Sequence, residues 1–299
     1  MRVLVTGGAG FVGQHLVARL ARAGWEVVAT DRELDVADGA ALAEALRRLA
    51  PAAVVHLAAQ SSVALSWREP ALTYRVNYLG ALSLLEGARR HAPGARLLIV
   101  GSADVYGSSA PGAPPFREDS PLRPASPYAV SKAAADLLAA CYQRRGLDVV
   151  RVRAFNHTGP GQRADFALAS FARQLVEMEL GRREPVLRVG NLDSVRDYLD
   201  VEDVVEAYLR LLDRAAPAGP YNVASGRGEP LRGHLEALLA RTRVRPRIEV
   251  DPARLRPRDG SVGDPTRLRR ATGWSPRVEP SQTLERLLAS LRAELSAAP

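Results

Sequence analysis

TGGAGFVG, residues 6 to 13, decides how this chain folds. It closes a short β-branched apolar run, Arg2 to Thr6, and opens a helical pattern carried by Leu16, Val17, Leu20 and Ala21, so the order is strand, glycine turn, helix. Glycines at 7, 10 and 13 permit a tight turn, close approach of the backbone to a pyrophosphate, and close packing of helix on strand. The helix amino end then offers free N–H groups to an anion. Gly7, Gly10 and Gly13, with Phe11 and Val12 between them, are therefore candidate dinucleotide contacts.

A second strand, Glu26 to Thr30, ends at Asp31, where an acid accepts hydrogen bonds from an adenosine ribose and favours NAD over NADP. Arg32 follows at once and suits a 2′-phosphate, so NAD(H) and NADP(H) both stay open as the cofactor. Asp35 and Val36 open a turn before the helical stretch Ala40 to Leu49 and join the candidate nucleotide contacts. Ala53 to Leu57 reads as a buried parallel strand of continuous apolar residues. Leu57, Ala58 and Ala59, then Gln60, Ser61 and Ser62, mark its carboxyl end, the edge where open α/β sheets bind ligands. The next unit repeats the pattern, with a helix over roughly Leu72 to Arg90, a strand over Arg96 to Val100, and Ser102 at the strand's carboxyl end. Strands alternating with helices predict an α/β fold, a Rossmann-like doubly wound parallel sheet, over residues 1–160.

A long loop from Tyr106 to Ser126 carries Pro111, Pro114, Pro115, Pro121 and Pro124, and its length suits a lid or binding loop. Ser126 is a good N-cap and Pro127 suits the first helical position, so a helix runs from there toward Arg145. It carries Tyr128 and, four residues on, Lys132, and that spacing puts both on one face. Lys132 is the single lysine in a chain with 40 arginines. Arginine is planar and permanently charged, whereas lysine carries a compact ammonium that can sit beside a phenol. The expectation is that this ammonium lowers the pKa of Tyr128.

After a strand at Asp148 to Arg153 the alternation loosens. Helices over Phe166 to Leu180, Leu231 to Ala240 and Thr283 to Leu295, with short strands near Val186 to Val189 and Tyr221 to Val223, predict a smaller C-terminal α/β substrate-binding domain. That domain is read as 161–299, mainly 161–195 and 216–299, while the helix at 201–215 returns to the nucleotide domain. Composition is that of an ordinary globular protein, 46% hydrophobic and 25% charged. No apolar stretch approaches eighteen residues and no secretory signal is evident, so no membrane association and a cytoplasmic location are expected. One cysteine, Cys141, excludes an internal disulfide and a cysteine-based metal cluster, and no metal site is expected. The net charge of +8 comes from arginines spread along the chain, which speaks against nucleic acid as a partner and suits an anionic substrate.

TGGAGFVG, HLAAQSSV at His56 to Val63, GSADVYG at Gly101 to Gly107 and SPYAVSK at Ser126 to Lys132 together resemble the extended short-chain dehydrogenase/reductases that act on nucleotide sugars. The resemblance spans nearly the whole chain. It implies Ser102, Tyr128 and Lys132 as the catalytic set, with Lys132 also holding the nicotinamide ribose and Ser102 hydrogen-bonding the oxygen where charge develops. It also implies a homodimer, in which the helices near 72 to 90 and 127 to 145 would bury apolar faces.

Fold alone does not choose the reaction. Related dehydratases carry a glutamate where this chain has Asp104 and often a polar neighbour where it has Ala103, which weakens a 4,6-dehydratase reading. FNHTGPGQ, from Phe155 to Gln162, resembles GDP-4-dehydro-6-deoxy-mannose reductases, which make GDP-rhamnose, more than the GDP-mannose dehydratases. By that similarity Asn156, Arg196 and Arg256 contact the substrate, the arginines taking its diphosphate, and Asp259 is a candidate for the nucleotide ribose. The expected activity is NAD(P)H-dependent reduction of a nucleotide-linked 4-keto-6-deoxyhexose. A nucleotide-sugar 4-epimerase that keeps its NAD bound is the alternative, and a non-catalytic dinucleotide-binding module stands behind both.

Overall fold

The computed structural model describes residues 1–110, 112–252 and 259–297. Strands β1 (Arg2–Thr6), β2 (Glu26–Thr30) and β3 (Ala53–His56) come first, joined by α1 (Phe11–Arg22) and α2 (Gly39–Leu49). Each strand is valine-rich, and branched side chains fit a pleated, buried surface. Asp38 starts α2 by accepting hydrogen bonds from the N–H groups of Ala40 and Ala41.

Next come α3 (Val63–Arg68), α4 (Pro70–Tyr74), a π-helical turn over Arg75–Leu79, and α5 (Gly80–His91). Periodicity predicts one continuous helix over 72–90; the π turn interrupts it. That turn carries Asn77, whose side chain bonds Gln60 and Ser131, and π turns often sit where a side chain has such a task. Strand β4 (Arg96–Val100), a 3-10 turn over Ala103–Tyr106, α6 (Pro127–Arg144) and β5 (Asp148–Ala154) follow. Helix α6 begins at the predicted cap, with the Ser126 hydroxyl accepting from Ala129 N at 3.1 Å and Pro127 in the first turn.

The remainder runs through β6 (Asn156–Thr158), α7 (Ala167–Glu179), β7 (Val186–Val189), β8 (Val195–Arg196), β9 (Tyr198–Asp200) and α8 (Val201–Leu211). It ends with β10 (Gly219–Val223), β11 (Glu229–Pro230), α9 (Leu231–Leu239), β12 (Arg247–Val250), β13 (Gly260–Ser261), α10 (Thr266–Thr272) and α11 (Pro280–Ala297).

Six strands form one sheet in the order β2-β1-β3-β4-β5-β10, every pair parallel. The chain leaves β1 for β2 and then returns to β3 on the other side of β1, and this reversal opens a crevice at their carboxyl ends. The pleat divides the side chains between two cores. Val3, Val5, Val55 and Val150 pack with Leu16 and Leu20 of α1 and Tyr208 and Leu211 of α8. Leu4, Val54, Leu97 and Val149 face Leu42 and Leu46 of α2 and Leu84 and Leu85 of α5. A third core joins Phe171 and Leu175 of α7, Leu187 of β7, Leu235 of α9 and Leu284 and Leu288 of α11.

One element lies elsewhere than the sequence suggested. The strand at Gly219–Val223, grouped with the substrate part, is the sixth strand of the nucleotide sheet and pairs in parallel with β5. Trp274 belongs to the same side, packing in the α1–α8 core while its Nε1 donates to the Asp203 carbonyl at 3.0 Å. A three-residue strand segment, Tyr221-Asn222-Val223, carries no sign of its sheet, because pairing is decided by neighbours distant in sequence. Among the described residues no helix is long and apolar enough to cross a membrane.

Arg153 of β5 ties this framework to the proline-rich loop. Its guanidinium donates to Asp136 at 2.9 and 3.1 Å, to the Tyr106 hydroxyl at 2.9 Å and to the Glu118 carbonyl at 2.9 Å, all in the interior. Removing one partner of a buried ion pair strands the other, at a cost of about 3–5 kcal/mol. Arg153→Met is expected to lose stability on that scale, read as a lower urea midpoint with an unchanged slope.

Candidate active site

Thr6, His56 and Val100 end three neighbouring strands, and the segments that follow them carry the residues singled out above. Gly7 has φ 74°, and a Cβ there would lie 2.7 Å from Ala58 N. Gly13 is tighter still, since its Cβ would meet the Gly7 carbonyl oxygen at 2.2 Å. Only glycine lets α1 start so close to β1 and β3. A Cβ on Gly10 would meet only the Gly7 carbonyl oxygen, at 3.2 Å, among the described residues, so the outer side of this turn is open. No side chain caps α1, and its first N–H groups have no intrahelical acceptors. Shape and charge both fit a pyrophosphate.

Around that turn, Asp31 Oδ2 accepts from Ala9 N at 3.0 Å, while Arg32 is exposed beside it. Asp35 pairs with Arg75. The Val36 side chain is buried against Gly80 and serves packing there. Leu57, Ala58 and Ala59 are half-buried after β3, and Phe11 stacks on His157 with ring centroids 6.0 Å apart. A dinucleotide thus has its cradle along the ends of β1, β2 and β3.

Ser102 follows β4, where its hydroxyl accepts from Asp104 N at 3.1 Å and caps the 3-10 turn. Tyr128, 9% exposed, lies in the first turn of α6 with Ser102 near its phenol. Lys132, 7% exposed, sits one turn further, and its Nζ donates to the Val100 carbonyl at 2.9 Å. The three catalytic candidates therefore converge beside the end of β4.

Their acidities differ from the expectation. Burial pushes the Tyr128 phenol well above its ordinary range, the Asp104 carboxylate pushes it further, and the Ser102 hydroxyl only partly offsets them. The Lys132 ammonium, anchored on the Val100 carbonyl, does not acidify it. Burial brings Lys132 itself down to about 8. Asp104 is open to the cleft, yet the protein around it raises its carboxyl; Arg196 opposes this and Asp259 adds to it. The site thus holds a protonated phenol and an amine that titrates near neutrality.

Two substrate candidates, assigned separately to a diphosphate and a ribose, also meet one another: Arg196 and Asp259 form an ion pair at 2.8 Å. The Arg196 guanidinium also donates to the Val195 carbonyl at 2.9 Å. Asn156 is half-buried just past β5, opposite Tyr198 in the β6–β9 pair. Arg256 lies outside the described residues.

Helical periodicity missed Asn77. Its side-chain oxygen accepts from Gln60 N at 2.8 Å, and its nitrogen donates to the Gln60 carbonyl at 3.0 Å and to Ser131 Oγ at 2.9 Å. It pins the segment after β3 to α6, between Tyr128 and Lys132. A lone asparagine inside an amphipathic stretch gives no sign of this.

A family model described as GDP-mannose 4,6 dehydratase matches residues 4–287. A GDP-6-deoxy-D-mannose reductase of Pseudomonas aeruginosa is 40% identical, covering 96% of this chain and 96% of that protein. A UDP-glucose 4-epimerase of Mycolicibacterium smegmatis is 33% identical, covering 93% of this chain and 94% of that protein. Among solved structures, RMD from Pseudomonas aeruginosa complexed with NADPH superposes with a TM-score of 0.91 at 38% identity, covering 98% of this chain and 99% of that one.

If Tyr128 donates a proton and Lys132 acts as a charged amine, the two roles have separate signatures. Tyr128→Phe is expected to lower kcat by about 10²–10⁴-fold while leaving the dissociation constant for the reduced dinucleotide, read by fluorescence, essentially unchanged. The Lys132 ammonium is present below its lowered pKa and lost above it, so kcat/KM is expected to fall with a midpoint near pH 8.

Proposed function

The chain belongs to the GDP-mannose 4,6-dehydratase family, within the extended short-chain dehydrogenase/reductases, and from that membership we propose that it is a nucleotide-sugar 4-ketoreductase. It reduces the 4-keto group of a nucleotide-linked 4-keto-6-deoxyhexose with NAD(P)H, converting GDP-4-dehydro-6-deoxy-D-mannose to GDP-D-rhamnose. The observation that carries the direction is the likeness over nearly the whole chain to a GDP-6-deoxy-D-mannose reductase, 40% identical against 33% for a UDP-glucose 4-epimerase, and a Tyr128 phenol held in its protonated form is consistent with it. A proton donor suits a carbonyl being reduced.

The bound nicotinamide supplies a hydride. The protein's own groups do the rest. Gly7, Gly10 and Gly13 admit the pyrophosphate to the amino end of α1, and Asp31 stands where the adenosine ribose is read. Lys132 holds the nicotinamide ribose with N–H donors left over from the Val100 bond. Ser102 donates to the substrate oxygen as charge builds on it, and the Tyr128 hydroxyl gives that oxygen its proton. Asn156, Arg196, Arg256 and Asp259 address the nucleotide sugar, the arginines taking its diphosphate and Asp259 the nucleotide ribose.

Support for a homodimer comes from what two helical segments leave uncovered. Leu72, Tyr74 and Leu79 along 70–79 and Val130 and Leu137 on α6 are exposed. Exposed apolar side chains can mark association surfaces, and α4, which carries Leu72 and Tyr74, packs against α6, which carries Val130 and Leu137.

Purified protein given GDP-4-dehydro-6-deoxy-D-mannose is expected to consume NADPH or NADH stoichiometrically and release GDP-D-rhamnose. Tightly held NAD with no net use of added cofactor would instead identify an epimerase. Leu137→Glu is expected to convert a dimer in light scattering to a monomer; a wild-type protein that is already monomeric removes the dimer.

A further inference from the structure

His56 ends β3, and its Nδ1 lies 2.8 Å from Thr6 Oγ1 at the end of neighbouring β1. The other ring nitrogen, Nε2, is buried and has no hydrogen-bond partner among the described residues, in a side chain only 3% exposed. Buried polar atoms rarely go without a partner in native proteins. His56 and Lys132 both line one cavity of about 10 Å³, together with Asn77, Asp136 and Arg151. That is the room one water needs, and a water needs polar partners as well. Lys132 has N–H donors beyond the one given to Val100, and Arg151 Nε is a second buried donor without a partner. The Asp136 oxygens are engaged by Arg151 and Arg153, and the Asn77 amide by Gln60 and Ser131.

We propose that a single water in this cavity joins Lys132 to His56, accepting from the ammonium and donating to Nε2, and that His56 is thereby a positioning residue for the catalytic amine. The inference rests on the assignment of Lys132 made above. Nδ1–H donates to Thr6 Oγ1 in this arrangement, which turns the Nε2 lone pair toward the cation. Burial and the Lys132 charge together hold the imidazole neutral, down to about 3, so it remains an acceptor wherever the enzyme works. The groups facing Lys132 are then His56 from β3, Arg151 from β5, and Tyr128 and Asp136 one turn to either side along α6, with neutral Asn77 from the π turn. An acceptor chain ending on His56 favours the charged amine and opposes part of the effect of burial.

The lone lysine makes the test direct. Protein labelled with carbon-13 at lysine Cε gives one signal, and its movement with pH reads Lys132 alone, without substrate. A failed reductase assay would leave this measurement untouched. His56→Asn keeps an atom near the Nδ1 position for Thr6 and none at Nε2; it is expected to lower the Lys132 midpoint by about one pH unit, the effect of losing one acceptor of a charged donor. His56→Gln, whose amide reaches the Nε2 position, is expected to restore most of that shift. An Asn variant titrating like the wild type, or a Gln variant displaced as far as the Asn variant, overturns the proposal. Should His56→Asn fail to fold, nitrogen-15 histidine spectra decide. An unprotonated His56 Nε2 that shifts on Lys132→Met supports the water link, and a protonated or indifferent one overturns it.

Discussion

Parallel register is the constraint from which the cleft follows. Thr6 stands level with Thr30 on one side and His56 on the other, His56 is level with Ile99, and Val100 is level with Val152. Parallel strands need a crossover after each one, so every segment leaving a carboxyl end emerges on the same edge. The glycine turn, the segment at 57–62, Ser102 and Asn156 are therefore neighbours in space although they span 150 residues of chain. The line of strand ends also supplies the acceptor that holds Lys132, the carbonyl of Val100. Position and chemistry thus share one origin.

Burial then sets the protonation states, and it acts in opposite directions on the two groups. Taking a phenol out of water disfavours its anion, and taking an amine out of water disfavours its cation. Tyr128 is driven toward the form that donates a proton, and Lys132 is brought to the edge of losing one. Proximity on one helical face does not by itself couple them. What matters is where the ammonium points, and it is held at the end of β4. The neighbour that acts on the phenol is Asp104, which raises it, with Ser102 pulling the other way.

Much of this was legible in the sequence, because the signals are local. TGGAGFVG encodes a turn that leaves no space for a Cβ, and Ser126-Pro127 encodes a helix start; both features are decided within a few residues. Features decided by distant partners were not legible. The strand at Gly219–Val223 looks the same whether it edges one sheet or another, and only pairing with β5 settles it. Asn77 lies in a stretch whose periodicity reads as plain helix, and its function needs Gln60 and Ser131 alongside. The acidity of Tyr128 was misread for the same reason. Spacing along a helix says which side chains share a face, but the balance of burial, Asp104 and Ser102 belongs to the folded cleft.

The use of arginine everywhere else explains why one lysine remains. Buried cations in this protein act as multi-point ties: Arg96 reaches Asp148 and the carbonyls of Leu211 and Ala216, and Arg153 reaches Asp136, Tyr106 and Glu118. A planar fork with five donors suits such ties, and its charge is permanent. At position 132 those virtues become faults. The side chain is enclosed beside a cavity with room for one water, and a guanidinium there would fill the space and orphan its donors. A compact amine can rest on one carbonyl, turn its remaining donors toward a ribose or a water, and respond to its surroundings. Composition and local structure therefore make the same distinction: arginine where the fold needs a many-pronged fastening, lysine where an enclosed position has room only for a compact cation.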